Sequence, residues 1–162
     1  MSAAIYAKDE ESAEALLDGG EDPNEVDGHG RNALHVAAEK GCRLPLFHRI
    51  LGMIHNVNAG DDEGSTALMW AAEYNHLDMV VSLMNHPGID LNVQDSDNWT
   101  ALHYAVNDNS PAIVAQLVSD DRVDTSLKTT GVFNNSTPLK YAIRREHAEC
   151  AKILREHGAP YE

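Results

Sequence analysis

Thr66-Ala67-Leu68-Met69-Trp70-Ala71-Ala72 decides how this chain folds, because its pattern appears three more times. Upstream it reads Asn32-Ala33-Leu34-His35-Val36-Ala37-Ala38. Downstream it reads Thr100-Ala101-Leu102-His103-Tyr104-Ala105-Val106, then Thr137-Pro138-Leu139-Lys140-Tyr141-Ala142-Ile143. The leucines at 34, 68, 102 and 139 are spaced by 34, 34 and 37 residues. A second ladder, Asn24, Asn58, Asn92 and Ser126, keeps the same 34-residue step. Two independent ladders with one period describe stacked supersecondary units, none of which buries its apolar side alone.

Within a unit the pattern predicts two short helices and a projecting loop. Thr66, Thr100 and Thr137 suit a helix N-cap, where the hydroxyl accepts a free first-turn N–H, and Asn32 does the same. Pro138 follows its cap at the first helical position, where the missing N–H costs nothing. Small alanines in the first helix allow close helix–helix approach. A second helix follows, as in Leu77-Asp78-Met79-Val80-Val81-Ser82-Leu83-Met84, with apolar residues at helical spacing. Gly41, Asn75 and Asn109 lie between the two helices and tolerate a left-handed turn.

These residues resemble the ankyrin repeat, whose signature is Thr-Pro-Leu-His-x-Ala-Ala followed by Gly-His and a second helix. Thr137-Pro138-Leu139, Leu34-His35, Leu102-His103, Ala37-Ala38 and Ala71-Ala72 carry the match across nearly the whole chain. The resemblance implies an all-α solenoid of helix-turn-helix units with projecting β-hairpin-like fingers. We expect one domain of five units: a capping repeat at 1–27, central repeats at 28–61, 62–95 and 96–129, and a capping repeat at 130–162. Departures from the pattern are local. Pro45 enters the first turn of a second helix, Asn85-His86-Pro87-Gly88 adds a residue after another, and the segment 129–136 is three residues longer than its counterparts. That longer segment reads as a partner contact or as a tolerated surface loop.

Composition narrows the function. The 162 residues carry 12 Lys+Arg against 26 Asp+Glu, a formal net charge of −14. An acidic chain lacks the basic face that nucleic acid or an anionic membrane requires. No apolar run reaches membrane-span length. Cys42 and Cys150 are the only cysteines, too few for a disulfide framework, and fit a reducing compartment. The first residues turn acidic at Asp9-Glu10-Glu11, unlike a secretory signal. The sequons at Asn98, Asn134 and Asn135 are therefore expected to carry no glycan. We expect a cytoplasmic protein, with the nucleus as the other setting.

Little here points to catalysis. The resemblance assigns His35, His103, His76 and His147 to hydrogen bonds between loops and neighbouring repeats. His147-Ala148-Glu149 imitates a deaminase motif but lacks its Pro-Cys-x-x-Cys partner. Asp95-Ser96-Asp97-Asn98 opens like a calcium loop, yet Thr100 and Val106 stand where Gly and a bidentate Glu belong. Neither a phosphate loop nor a nucleophile elbow is present. No cofactor, metal site or enzymatic activity is expected.

What remains is surface. The resemblance places partner contacts on the fingers and on the ends of the first helices. It selects Asp62, Glu63, Ser65, Asp97 and Trp99 on the fingers. On the helices it selects Glu39, Lys40, Glu73, Tyr74, Asn107, Asp108, Arg144 and Arg145. Trp99 and Tyr74 stand out as aromatic anchors, although Trp99 equally fits packing over its neighbouring finger. Trp70 and Tyr104 fall in an apolar slot and are expected in the core; Phe133 fits either place. Charge is uneven: −8 over residues 1–28, −8 over 29–127 and +2 over 128–162. The expected partner is a protein with a basic or bipolar segment, bound by a monomer. The family's finger-base asparagines include hydroxylase substrates, which selects Asn24 and Asn92; the plain alternative is a turn asparagine. The reading is a non-catalytic interaction module or adaptor. Its alternative is a regulatory inhibitor that clamps an enzyme such as a kinase, and a third class is an unrecognised metal-dependent enzyme.

Overall fold

The computed structural model describes residues 1–130 and 135–162. The expectation for Phe133 therefore lies outside the described residues, as does much of the long finger. Among the described residues there are ten helices and no strand: α1 (Ser2–Tyr6), α2 (Glu10–Asp18), α3 (Ala33–Lys40), α4 (Leu44–Leu51), α5 (Ala67–Glu73), α6 (Leu77–Met84), α7 (Ala101–Asn107), α8 (Pro111–Val118), α9 (Pro138–Arg144) and α10 (Ala148–Glu156). The odd-numbered helices stack in sequence order as an inner layer, and α4, α6, α8 and α10 stack outside them. This is an all-α solenoid.

The alanines explain the inner layer. Ala37, Ala38, Ala71, Ala72, Ala105 and Ala142 are all fully buried, and their small size lets neighbouring inner helices approach closely. Between the layers lie Phe47, Ile50, Leu83, Ile113, Leu117 and Leu154, each almost wholly buried. Burial of each such side chain is worth about 2 kcal/mol. The signature leucines Leu34, Leu68, Leu102 and Leu139 join the same core.

Three expected caps form as drawn. Asn32 accepts from the N–H of Leu34 (3.0 Å) and of His35 (3.2 Å), Thr66 from Met69 (3.4 Å), and Thr137 from Lys140 (3.2 Å). At Thr100 the hydroxyl also meets His103 Nδ1 at 2.9 Å, within a capping box like that of Asn32 and His35. The turns after the inner helices are left-handed at Gly41 (φ 71°), Asn75 (58°), Asn109 (52°) and Glu146 (60°). At Gly41 a Cβ would lie 2.4 Å from the His76 ring, so glycine is required there twice over.

Fingers project between successive pairs. Each closes on itself by a backbone bond: Asp27 N–H to Arg31 C=O at 2.9 Å, Asp61 to Ser65 at 3.0 Å and Asp95 to Trp99 at 3.0 Å. Each also bonds to the next, through Asp62 N–H to His29 C=O (3.1 Å), Ser96 to Glu63 (2.9 Å) and Thr130 to Asp97 (2.8 Å). The inner helices and the fingers thus share one continuous face.

Candidate partner-binding face

One aspartate organises each of three fingers. Asp61 Oδ1 accepts from the N–H groups of Glu63 (3.0 Å) and Ser65 (2.9 Å), and its Oδ2 accepts from the Trp70 indole at 3.1 Å. Asp95 does likewise with Asp97 (2.9 Å) and Trp99 (2.8 Å), and its Oδ2 accepts from the Tyr104 hydroxyl at 2.6 Å. Burial, first, and that carboxylate hold the Tyr104 phenol far above its usual range. Asp27 bonds His29 (2.9 Å) and Arg31 (3.1 Å), and its second oxygen takes the Arg31 guanidinium at 2.9 Å. One oxygen shapes the loop while the other ties it to a neighbouring side chain. This corrects the placing of Trp70 and Tyr104 in the core: both are half-buried, with their polar ends turned to the finger. It also accounts for the calcium-like run, since Asp95 spends its acceptors within the protein.

The histidines bridge. His35 Nε2 reaches the Ala59 carbonyl (2.8 Å), and His103 Nε2 the Ser136 carbonyl (3.2 Å). At His103, Nδ1 accepts from the Thr100 N–H (3.2 Å) and meets its hydroxyl (2.9 Å), as a neutral ring does, whereas His35 Nδ1 lies 3.2 Å from the Asn32 N–H and 2.7 Å from its Oδ1. Burial lowers the pKa of both, that of His103 to about 4. His76 and His147 reach the carbonyls of Glu39 (3.2 Å) and Val106 (2.7 Å). Asn24 and Asn92 bond the following loop through both ends of the amide: to Met53 C=O and His55 N–H, and to Arg122 C=O and Asp124 N–H.

The selected contact residues divide. Asp62, Glu63, Asp97, Asp108, Arg144 and Arg145 are exposed, and Tyr74 is 47% exposed while stacked on Trp70 at 5.9 Å. Glu39 and Ser65 are buried instead. Glu39 is held there by Arg31 (2.9 Å) and Lys40 (2.6 Å), and Ser65 closes its finger, with its N–H on Asp61 Oδ1 (2.9 Å). Trp99 is half-buried, with Tyr104 and Tyr141 each 5.2 Å away, so it packs within the array. Asn107 accepts from the buried Tyr141 hydroxyl at 2.8 Å. Glu73 is half-buried at the end of α5, and desolvation, then Asp108 and Glu39, raise its pKa.

Two linked cavities escaped the sequence reading. One of about 280 Å³ is lined by Tyr6, His29, Arg31, Asp62, Glu63 and Trp70, among others. A second of about 510 Å³ shares Tyr6, His29 and Arg31 and runs on to Ala3, Ala7 and Val36. Tyr6 is 53% exposed. The period does contain the signal, for two steps back from Tyr74 lead to Tyr6. The degenerate first unit hid it by lacking the Thr-x-Leu-His core.

A family model described as ankyrin repeats (3 copies) matches residues 1–95 and 88–162. The chain belongs to the ankyrin-repeat family. Ankyrin repeats generally mediate protein–protein interaction. The array is 37% identical over 99 residues to the SMC5-SMC6 complex localization factor protein 1 of Bos taurus, covering 60% of this chain and 9% of that protein. It is 30% identical over 161 residues to the Nuclear factor NF-kappa-B p105 subunit of Gallus gallus, covering 96% and 16%. With the Inhibitor of Bruton tyrosine kinase of Xenopus laevis it shares 39% identity over 89 residues, covering 54% and 7%. The chain thus spans only a small part of each relative's length. No helix among the described residues is long and apolar enough to cross a membrane.

Proposed function

We propose that this array is a non-catalytic module that holds a partner protein against its inner helices and fingertips. The observation that supports it best is an imbalance of charge on that face. Arg31 and Lys40 are occupied by Asp27, Glu39 and the Tyr6 ring, whereas Asp62, Glu63 and Glu73 meet no cation among the described residues. Such a face attracts a basic segment, and Arg144 and Arg145 at its far end favour a bipolar one. The proposal includes a monomer, cytoplasmic or nuclear, divided into the five units set out above.

The test is affinity capture from lysate, comparing wild type with a Tyr74→Ala/Glu63→Lys/Asp97→Lys variant that retains its fold. Equal recovery of the same partners by both would refute the surface. The inhibitor reading draws on one relative's name and on the same face. It is separated from the adaptor reading by whether the purified chain slows a captured enzyme or merely tethers it. Hydroxylation of Asn24 or Asn92 remains a proposal with a structural cost, because each amide must first release its loop. Intact-mass measurement of protein from its native cell decides it.

A further inference from the structure

The ends of the inner helices form a row of equivalent positions, one per unit: Tyr6, Lys40, Tyr74 and Asp108 at steps of 34, then Arg145 after the longer step of 37. Within this row Lys40 lies over the ring of Tyr6, with Nζ 3.7 Å from its centroid. A tyrosine of one unit is thus covered by the cation that the next unit supplies. Tyr74 occupies the same place two units on, is 47% exposed, and is held by its stack on Trp70. The next unit supplies Asp108, an acid, where the Tyr6 precedent has an ammonium. Glu73 beside it gains a second like charge instead of a counter-ion. The cation nearest Tyr74 is Lys40, which is already held by Glu39 and the Tyr6 ring, so the arrangement completed at Tyr6 is left open at Tyr74 with the ring and the carboxylates present.

We infer that the surface from the Tyr6–Trp70 cavity to Tyr74, which stacks on Trp70, takes an extended segment of a partner protein, with one Lys or Arg side chain seated on Tyr74 between Glu73 and Asp108. This rests on the interaction reading above and specifies its chemistry. The cation stacks on the ring face and pairs with carboxylates that otherwise repel each other. The neighbouring 280 Å³ cavity, walled by Tyr6 and Trp70 under the acidic fingertips, receives the flanking residues. A glutamate or an uncharged residue in the cation's place meets only like charge or a partly desolvated carboxylate.

The experiment is selection of random peptides displayed on phage against the folded array, followed by titration of a selected peptide. Selected peptides are expected to share one Lys or Arg, and changing it to Gln should weaken binding about tenfold. Tyr74→Ala and Glu73→Gln should each produce a similar loss. With either variant, the peptide's own Lys-to-Gln change should then matter little. Asp108→Lys should block binding outright, because it supplies internally the cation that Lys40 supplies to Tyr6. Circular dichroism of each variant confirms the fold. Peptides that need the inner face but share no basic residue overturn this inference and leave the interaction reading intact. Peptides indifferent to Tyr74, Glu73 and Asp108, or no selected peptides at all, overturn it as well. The interaction reading itself falls if peptides also ignore charge reversal at Asp62, Glu63 and Asp97.

Discussion

The α5/α6 and α7/α8 pairs follow one plan and use it for opposite ends. In the latter, Trp99 sits between Tyr104 and Tyr141, His103 reaches Ser136, and Asn107 holds the Tyr141 hydroxyl. Its side chains are spent on fastening the next unit. The equivalent positions in the former are Ser65, Met69 and Glu73. Met69 offers only a sulfur, which accepts the Thr66 N–H at 3.4 Å and cannot donate onward. Glu73 and Tyr74 face outward. Identical backbones thus divide the labour, one pair for cohesion and its neighbour for contact.

The sharpest way to break that comparison is to truncate one aromatic from each pair. Trp99→Ala should cost roughly 3 kcal/mol, since two rings lose their packing partner. Tyr74→Ala should cost under about 1 kcal/mol, because half of its surface is already in water. Urea denaturation measures both. Equal losses would mean that the two pairs do not differ as described.

The next contrast is in pH. His103 is neutral in the fold with a pKa of about 4, against about 6.5 when unfolded. Its folded pKa is depressed, so the unfolded chain binds the extra proton between those values. Stability is then full above pH 6.5 and falls as pH drops toward 4, by roughly 3 kcal/mol in all. His103→Met, which copies Met69, should flatten stability across that window while lowering it at pH 7. An unchanged pH slope in this variant would remove His103 as the cause.

The reciprocal graft is smaller. Met69→His gives the α5/α6 pair an imidazole where His35 and His103 have one, and a new bond across the junction should add about 1 kcal/mol at pH 7. The gain should vanish by pH 5, because an imidazole at this buried position stays neutral while the unfolded chain takes up the proton. Thermal melts at the two pH values measure it. A destabilised variant would show that the junction prefers its thioether.

Much of the fold is legible in the sequence. The 34-residue period, the alanine pairs and the cap residues dictate helices, their stacking and the turn at Gly41, because all are local constraints of backbone and size. The contact face was legible only in part. Glu39 and Ser65 share their register with the half-buried Glu73 and Trp99, yet Arg31 buries the first and the closing of the finger the second. Those partners lie eight residues away along the chain or in a loop whose path no periodicity specifies. Trp70 and Tyr104 looked apolar because a helical pattern counts the ring and misses the aspartate nine residues earlier that binds its polar tip. Tyr6 was missed because register was counted from the signature, which the first unit lacks.

The smallest effect tests the contact side of the comparison. Desolvation raises the pKa of Glu73, and Asp108 and Glu39 add to it, so the fold is less tolerant of its charge than the unfolded chain is. The sign is opposite to that of a paired carboxylate. The folded state holds the proton more tightly, and stability declines as pH rises from the unfolded pKa through the folded one. Glu73→Gln should therefore stabilise the array at pH 7 and leave it unchanged near pH 4. Because the side chain is half in water, the gain should be only a few tenths of a kcal/mol and should shrink as salt is added. A loss of stability at pH 7 would mean that Glu73 has a supporting role within the array. A gain, alongside weakened binding, is the mark of a residue kept for its partner at the expense of the fold.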